Sequence, residues 1–275
     1  MENFEGAEVY IPKKLCWAHI DYGDNSCRVS AENRFCSGSV SGDYKCHSNC
    51  PTYSRCKHTF ELGNFPNRFW DIPEELVNAS EDYTSLVTLA AIRRDVIGFV
   101  SCGQNLLIRS MMPGTGKTFQ ACLLANAYIF RRCISNYSSN MAQYVYLPSW
   151  IGKFDTYDKL SYDDERRVVF FDTLDKLARA DLVIWDGIGF NSQTRLESVI
   201  FRSIINERLN NSLSNIFIPY GEIGELSSVI GKTDAARILN SSIDIELSGC
   251  CYTELCRDDY SKKLSDTMNK LNNMR

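Results

Sequence analysis

Leu106-Leu107-Ile108-Arg109-Ser110-Met111-Met112-Pro113-Gly114-Thr115-Gly116-Lys117-Thr118 runs from an apolar strand into a glycine-bearing loop, and the apolar helical segment Phe119 to Phe130 follows at once. This is the pattern of a phosphate-binding loop. Gly114 and Gly116 let the backbone curl so that successive N–H groups face phosphate oxygens. The helix adds its positive N-terminal end, Lys117 reaches the β- and γ-phosphates, and the Thr118 hydroxyl ligands Mg²⁺. Pro113, Gly114, Thr115, Gly116, Lys117 and Thr118 are therefore the candidate nucleotide-binding residues. A Gly-x-Gly-Lys-Thr also occurs in unrelated loops; its place between strand and helix is what makes it specific here. One position departs from the usual G-x-x-x-x-G-K-[ST]: its first glycine falls on Met111. A left-handed backbone there would cost methionine about 1–2 kcal/mol. With an ordinary backbone, the side chain would mainly crowd the loop.

A second half-site lies further along. Ala180-Asp181-Leu182-Val183-Ile184-Trp185-Asp186 reads as a buried parallel strand ending in a carboxylate, the form of a Walker B segment. Asp186 would hold Mg²⁺ through water, opposite Thr118. The next position, where a second acid would orient or deprotonate the attacking water, is Gly187. Loss of a positioned general base removes about 10²–10⁴ in rate, so binding and hydrolysis separate as questions.

Around these segments strands and helices alternate. Strands are expected at 106–110, 143–147, 181–186, 213–219 and 243–248. Helices are expected at 117–132, around 165–179, at 194–209, near 222–230 and ending at Arg237 and Ile238. A further helical pattern covers Glu74 to Val100, with Leu76, Leu86, Leu89, Ile92 and Ile97 on one face. The expected fold class is α/β: a P-loop NTPase core whose parallel five-stranded sheet carries helices on both faces, with the nucleotide at the carboxyl ends of the strands.

Composition sets the outer bounds. With 275 residues and a 44% hydrophobic fraction, the chain holds a full core plus a small accessory part. A formal charge of −4 excludes a global basic field for nucleic acid. Local pairs such as Arg93-Arg94 and Arg166-Arg167 leave room for a patch, though such pairs usually form solvated helix faces. Met1 to Tyr10 is polar and acidic, unlike a signal peptide, and no apolar stretch is long enough to span a bilayer. The expectation is a cytoplasmic protein with no membrane partner. Disulfides are rare in that compartment, so the twelve cysteines need another account. Cys102, Cys122 and Cys133 read as small core residues. Cys36, Cys46, Cys50 and Cys56 supply four thiolates within twenty-one residues. His47, His58, Cys16 and Cys27 are alternative ligands. Four such ligands suit tetrahedral Zn²⁺, and a short polar segment gains folding energy from the metal; the rival is a set of free thiols.

The expected division is a cysteine-rich module without helical periodicity at 1–62, a linker at 63–80 whose aromatics dock on the next domain, a nucleotide-binding domain at 81–252, and a helical tail at 253–275. Leu255, Tyr260, Leu264, Met268 and Leu271 give the tail an apolar face, for its own domain or for a partner helix.

Taken in order, these residues resemble the AAA+ helicase loaders of the DnaC/DnaI type, most closely the phage and prophage versions. Cys50-Pro51-x-Tyr53 and Asn64-Phe65-Pro66-Asn67-Arg68-Phe69-Trp70 look like the family's cysteine segment and its N-[IF]-P-x-[RK]-[YF] stretch. Gly114 to Thr118 matches Walker A, and Ala180 to Ile188 looks like the Walker B strand. Ile205-x-x-Arg208 with Ser214-Asn215-Ile216 resembles the approach to sensor 1, and Gly231 to Ile238 resembles the G-x-R-L-x-S-R-I box. The resemblance implies ATP as the nucleotide and a zinc-bearing N-terminal part that contacts the replicative DNA helicase. It also implies contact with single-stranded DNA and an oligomer of this chain or a related AAA+ subunit. Arg237 falls on the arginine finger that completes a neighbour's site; an ordinary helix-end arginine is the alternative. The departures cluster on hydrolysis: Gly187 for the catalytic acid, Tyr220 for the sensor 1 asparagine, Thr233 for the first arginine of the box, and Gly249 to Tyr252 without the usual arginine. The combination implies a loader, or loader-like subunit, that binds ATP and hydrolyses it weakly or not at all. Alternatives are a transposition regulator of the IstB type and a non-enzymatic protein that captures and inhibits a helicase or its loader.

Overall fold

The computed structural model describes residues 51–69, 82–135, 140–189, 195–221, 227 and 231–249. At its centre lies a parallel sheet of β1 (Asn105–Arg109), β2 (Ala142–Tyr146), β3 (Leu182–Ile188), β4 (Ser214–Pro219) and β5 (Ser242–Glu246), in the order β2-β3-β4-β1-β5. The register runs Leu106 against Ile216 and Ile243, and Val183 against Gln143 and Asn215. Strands β3 and β4 are buried along their whole length, as a parallel sheet covered on both faces requires.

Period-two alternation sends the strand side chains into two cores. Leu106, Ile108, Tyr144, Ile184, Ile216 and Ile245 point to one face. There they meet α1 (Pro51–Leu62), α2 (Tyr83–Arg94), α3 (Val96–Ser101) and α4 (Lys117–Ser135). Leu107, Val145, Val183, Trp185 and Phe217 point to the other. They pack on α5 (Leu147–Tyr157), α6 (Glu165–Arg179), α7 (Arg195–Asn210) and α8 (Lys232–Ser241). The expected α/β architecture, with five parallel strands and helices on both faces, is the one observed.

Helix α6 shows why some boundaries were readable. The Asp164 side chain accepts the Arg166 N–H at 2.9 Å, Glu165 opens the helix, and Lys176 and Arg179 close it. Each charge favours its end of the helix dipole. Two helices were not expected. The first, α5, begins at Leu147 with no intervening loop, and Pro148 sits in its first turn, where a missing N–H is harmless. The second is α1, which corrects the reading of residues 51–62 as aperiodic. Its C-terminus is a Schellman turn: Phe65 N–H donates to the Phe60 carbonyl, Asn64 N–H donates to Glu61, and Asn64 takes φ 57°. Phe60 and Phe65 then pack edge to face, with ring centroids 5.5 Å apart.

The same turn closes the edge of the sheet, because the Tyr144 N–H donates to the Gly63 carbonyl at 2.7 Å. Phe65 and Phe69 of the segment read as linker are buried in the core. Of the three cysteines read as core residues, Cys122 and Cys133 are buried but Cys102 is exposed, at the C-cap of α3. The helical stretch near 222–230 (apart from Ser227), the segment 70–81 and the tail from 253 lie outside the described residues. Among the described residues no helix is long and apolar enough to cross a membrane.

Candidate nucleotide-binding site

The loop between β1 and α4 wraps the carboxyl end of the sheet. Gly114 and Gly116 take φ of 76° and 90°, values that a side chain would resist. Ser110 Oγ accepts the Met112 N–H at 3.1 Å, and Thr115 Oγ1 donates to the Met112 carbonyl at 3.4 Å. The Lys117 ammonium reaches the same carbonyl at 3.2 Å. Burial pushes the Lys117 pKa below its ordinary value, and the Asp186 carboxylate pulls it part of the way back. A polyphosphate would add counter-charge to this half-buried cation beyond what Asp186 gives. Met111 does not spoil the loop. Outside glycine, only Asn64 and Ser212 among the described residues take a positive φ, so Met111 has an ordinary backbone. Its side chain turns outward and is 62% exposed, which removes the crowding as well.

Beneath the loop, Thr118 Oγ1 donates to Asp186 Oδ2 at 2.8 Å. The two residues are 68 positions apart in sequence, and the structure brings them together as the sequence required. A hydroxyl oxygen and a carboxylate at this separation are hard donors of the kind Mg²⁺ prefers, so the residues fit the metal. The metal would neutralise phosphate charge when bound. What the chain itself supplies is the fixed geometry of Thr118 and Asp186. A third group escaped the sequence reading: Tyr144 OH also donates to Asp186 Oδ2, at 2.6 Å. Its only prior signal lay in the register. Tyr146 pairs with Asp186, so Tyr144 lies on the same face, diagonally across the β2–β3 ladder.

The positions that the resemblance assigns to hydrolysis differ in their surroundings. Gly187 sits at a bulge in β3, between Asp186 and Ile188, with φ 80°. A Cβ built there would lie 3.1 Å from Pro148 Cδ and 3.2 Å from Tyr146 Cε2. An acidic side chain at 187 would therefore meet both backbone strain and crowding. Tyr220, at the end of β4, donates its N–H to the Ile188 carbonyl and leaves its side chain 54% exposed. Thr233 is exposed in the first turn of α8. Arg237 donates to the side-chain carbonyls of Asn206 and Asn210, so α8 is tied to α7 through this residue.

Arg208, on the stretch that resembled the approach to sensor 1, is a structural residue. It is completely buried and donates to Asn215 Oδ1 at 2.7 Å, to the Leu177 and Ala180 carbonyls at 2.7 Å, and to the Ser214 carbonyl at 2.6 Å. Burial pushes its pKa down to about 9, against the pull of Asp181; at neutral pH it stays charged.

Of the four thiolates assigned to zinc, Cys36, Cys46 and Cys50 lie outside the described residues. Cys56 is fully buried on α1, and the neighbouring thiol is Cys133. Thr59 Oγ1 lies 3.9 Å from the Cys133 sulfur. The Cys56 seat lies inside the core that α1 shares with α4, beside Cys133.

No family model and no curated protein matches the sequence. Solved structures do match its fold. The crystal structure of the DnaC helicase loader aligns with a TM-score of 0.52 at 14% identity, covering 66% of this chain and 100% of that one. The crystal structure of DnaI aligns with a TM-score of 0.51 at 19% identity, covering 67% and 95%. A crystal structure of a DNA replication initiation factor aligns with a TM-score of 0.50 at 14% identity, covering 69% of this chain and 53% of that one. At these identities the likeness is one of fold.

Proposed function

We propose that this chain is an ATP- and Mg²⁺-binding helicase loader, or a loader-like subunit, that engages a hexameric replicative helicase and single-stranded DNA. The observation that carries the reading is the Thr118–Asp186 pair under a glycine-curled loop, on a sheet shared with the DnaC helicase loader. Lys117 and the loop N–H groups hold the phosphates, and Thr118 with Asp186 holds the metal. Gly187 and Tyr220 leave the attacking water without its usual partners, so ATP acts as an assembly ligand and turnover is slow or absent. Arg237 serves a neighbouring subunit of the oligomer once it exchanges its two asparagines for a phosphate.

In this reading the nucleotide-binding domain begins at α1 rather than at 81, because α1 shares its core. Residues 1–50 form the helicase-contacting zinc module, and 253–275 the tail. Cys36, Cys46 and Cys50 hold zinc, and the fourth ligand comes from His47, His58, Cys16 or Cys27, since Cys56 is in the core.

Native mass spectrometry of the chain mixed with a replicative helicase, with and without ATP–Mg²⁺, tests the proposal. The expected result is a stoichiometric complex that retains nucleotide at this subunit and releases little phosphate. A complex that forms equally well with Lys117→Ala identifies a capture protein instead. No complex in either condition sinks the loader reading and moves DNA-dependent assembly to the front.

A further inference from the structure

We propose that Tyr144 is a positioning residue for the metal-binding carboxylate, and that its hydroxyl, seated by the cap of α1, sets how strongly nucleotide binding depends on Mg²⁺. The proposal rests on the nucleotide reading above. Asp186 is 8% exposed and takes two hydroxyl protons on one oxygen, from Thr118 at 2.8 Å and Tyr144 at 2.6 Å. Both bonds converge on Oδ2. Together they restrain the carboxylate plane and leave Oδ1, which takes neither bond, for a metal or its water. A carboxylate held by Thr118 alone could rotate about its terminal torsion, which is broad for Asp.

The tyrosine is itself fixed from a distance in sequence. Its backbone N–H is held by Gly63 at 2.7 Å, and its ring lies 6.0 Å from that of Phe65, centroid to centroid. Both partners belong to the Schellman turn that ends α1. The cap that docks residues 51–65 therefore also sets the position of the Tyr144 hydroxyl, and through it the orientation of Asp186. Tyr144 is also one of the residues lining a groove of about 550 Å³ that includes Trp150, Tyr157 and Phe170.

Tyr144→Phe keeps the ring and removes only the hydroxyl. Affinity for a fluorescent ATP analogue should fall by about 10-fold in Mg²⁺, as for other groups that orient a metal-binding carboxylate. Affinity in EDTA should not change. In an Asp186→Asn background the same substitution should have no further effect, because the group it positions is gone. Thermal melting without nucleotide, run in parallel, reports whether each variant folds. A Tyr144→Phe loss that is equal in Mg²⁺ and EDTA, or that persists in full beside Asp186→Asn, overturns the positioning role and leaves the nucleotide reading standing. Absence of binding by the unsubstituted chain overturns both.

Discussion

The two ends of the parallel sheet are built by opposite rules. At the amino end, around the first residues of β1, β3 and β4, a network of buried polar groups is held by several hydrogen bonds each. Arg208 spends its donors on Asn215 and the carbonyls of Leu177, Ala180 and Ser214. Asn215 in turn receives Trp185 Nε1 at 3.0 Å and donates to Asn105 Oδ1 at 2.9 Å. At the carboxyl end the polar groups are held in place but kept available. Lys117 rests on a single carbonyl, glycines carry positive φ, and a carboxylate has both hydroxyl partners on one oxygen. One end uses its charge for cohesion and the other reserves it for a ligand. An arginine conspicuous in the sequence thus belongs to stability, whereas a tyrosine that no motif flagged belongs to the site.

That contrast can be broken most sharply at its stable end. Arg208→Ala strands several buried acceptors at once and should lower the unfolding free energy by about 4 kcal/mol or more. Chemical denaturation reads this directly; a loss near zero would mean the network is decorative. At the opposite end, Lys117→Ala should leave the melting midpoint close to that of the parent chain. It should weaken ATP binding by about 10- to 100-fold, the worth of a charged hydrogen bond to phosphate. A variant that melts far below the parent would erase the distinction between the ends. An effect of comparable size is expected at the boundary residue Gly187. Gly187→Glu should destabilise by about 1–3 kcal/mol through its positive φ and its contact with Pro148. It should not restore hydrolysis, because position 187 aims its Cβ at Pro148 and Tyr146. Phosphate release at the rate of a competent ATPase would overturn this account of the bulge.

Much of the architecture was legible because several local signals agreed. Helix α6 had a capping aspartate and complementary end charges, and β3 and β4 carried the apolar runs Leu182–Trp185 and Ile216–Pro219. The phosphate loop and Asp186 could be paired from spacing alone. The missed features depend on partners far away in sequence. Helix α1 has weak amphipathicity and is secured by packing on α4 and by the turn at Asn64. Helix α5 follows β2 without a loop and carries a proline in its first turn, so no polar break separates the two elements. The Tyr144 contact needs the β2–β3 register, which no single-segment pattern contains. Gly187 was recognised as a missing acid, but its bulge and its φ became visible only in three dimensions.

The Schellman turn after α1 has a practical reach beyond the site. By placing the Gly63 carbonyl on an N–H of β2, it ends the sheet at that side and leaves copies of the chain less room to add a strand there. Only glycine fits the post: a Cβ at 63 would lie 2.5 Å from the Ala142 carbonyl oxygen. A chain trimmed to begin at residue 81 would carry every nucleotide-binding residue and still lose this stop. Its bare edge would be open to strand pairing between molecules, and it would tend to precipitate rather than work.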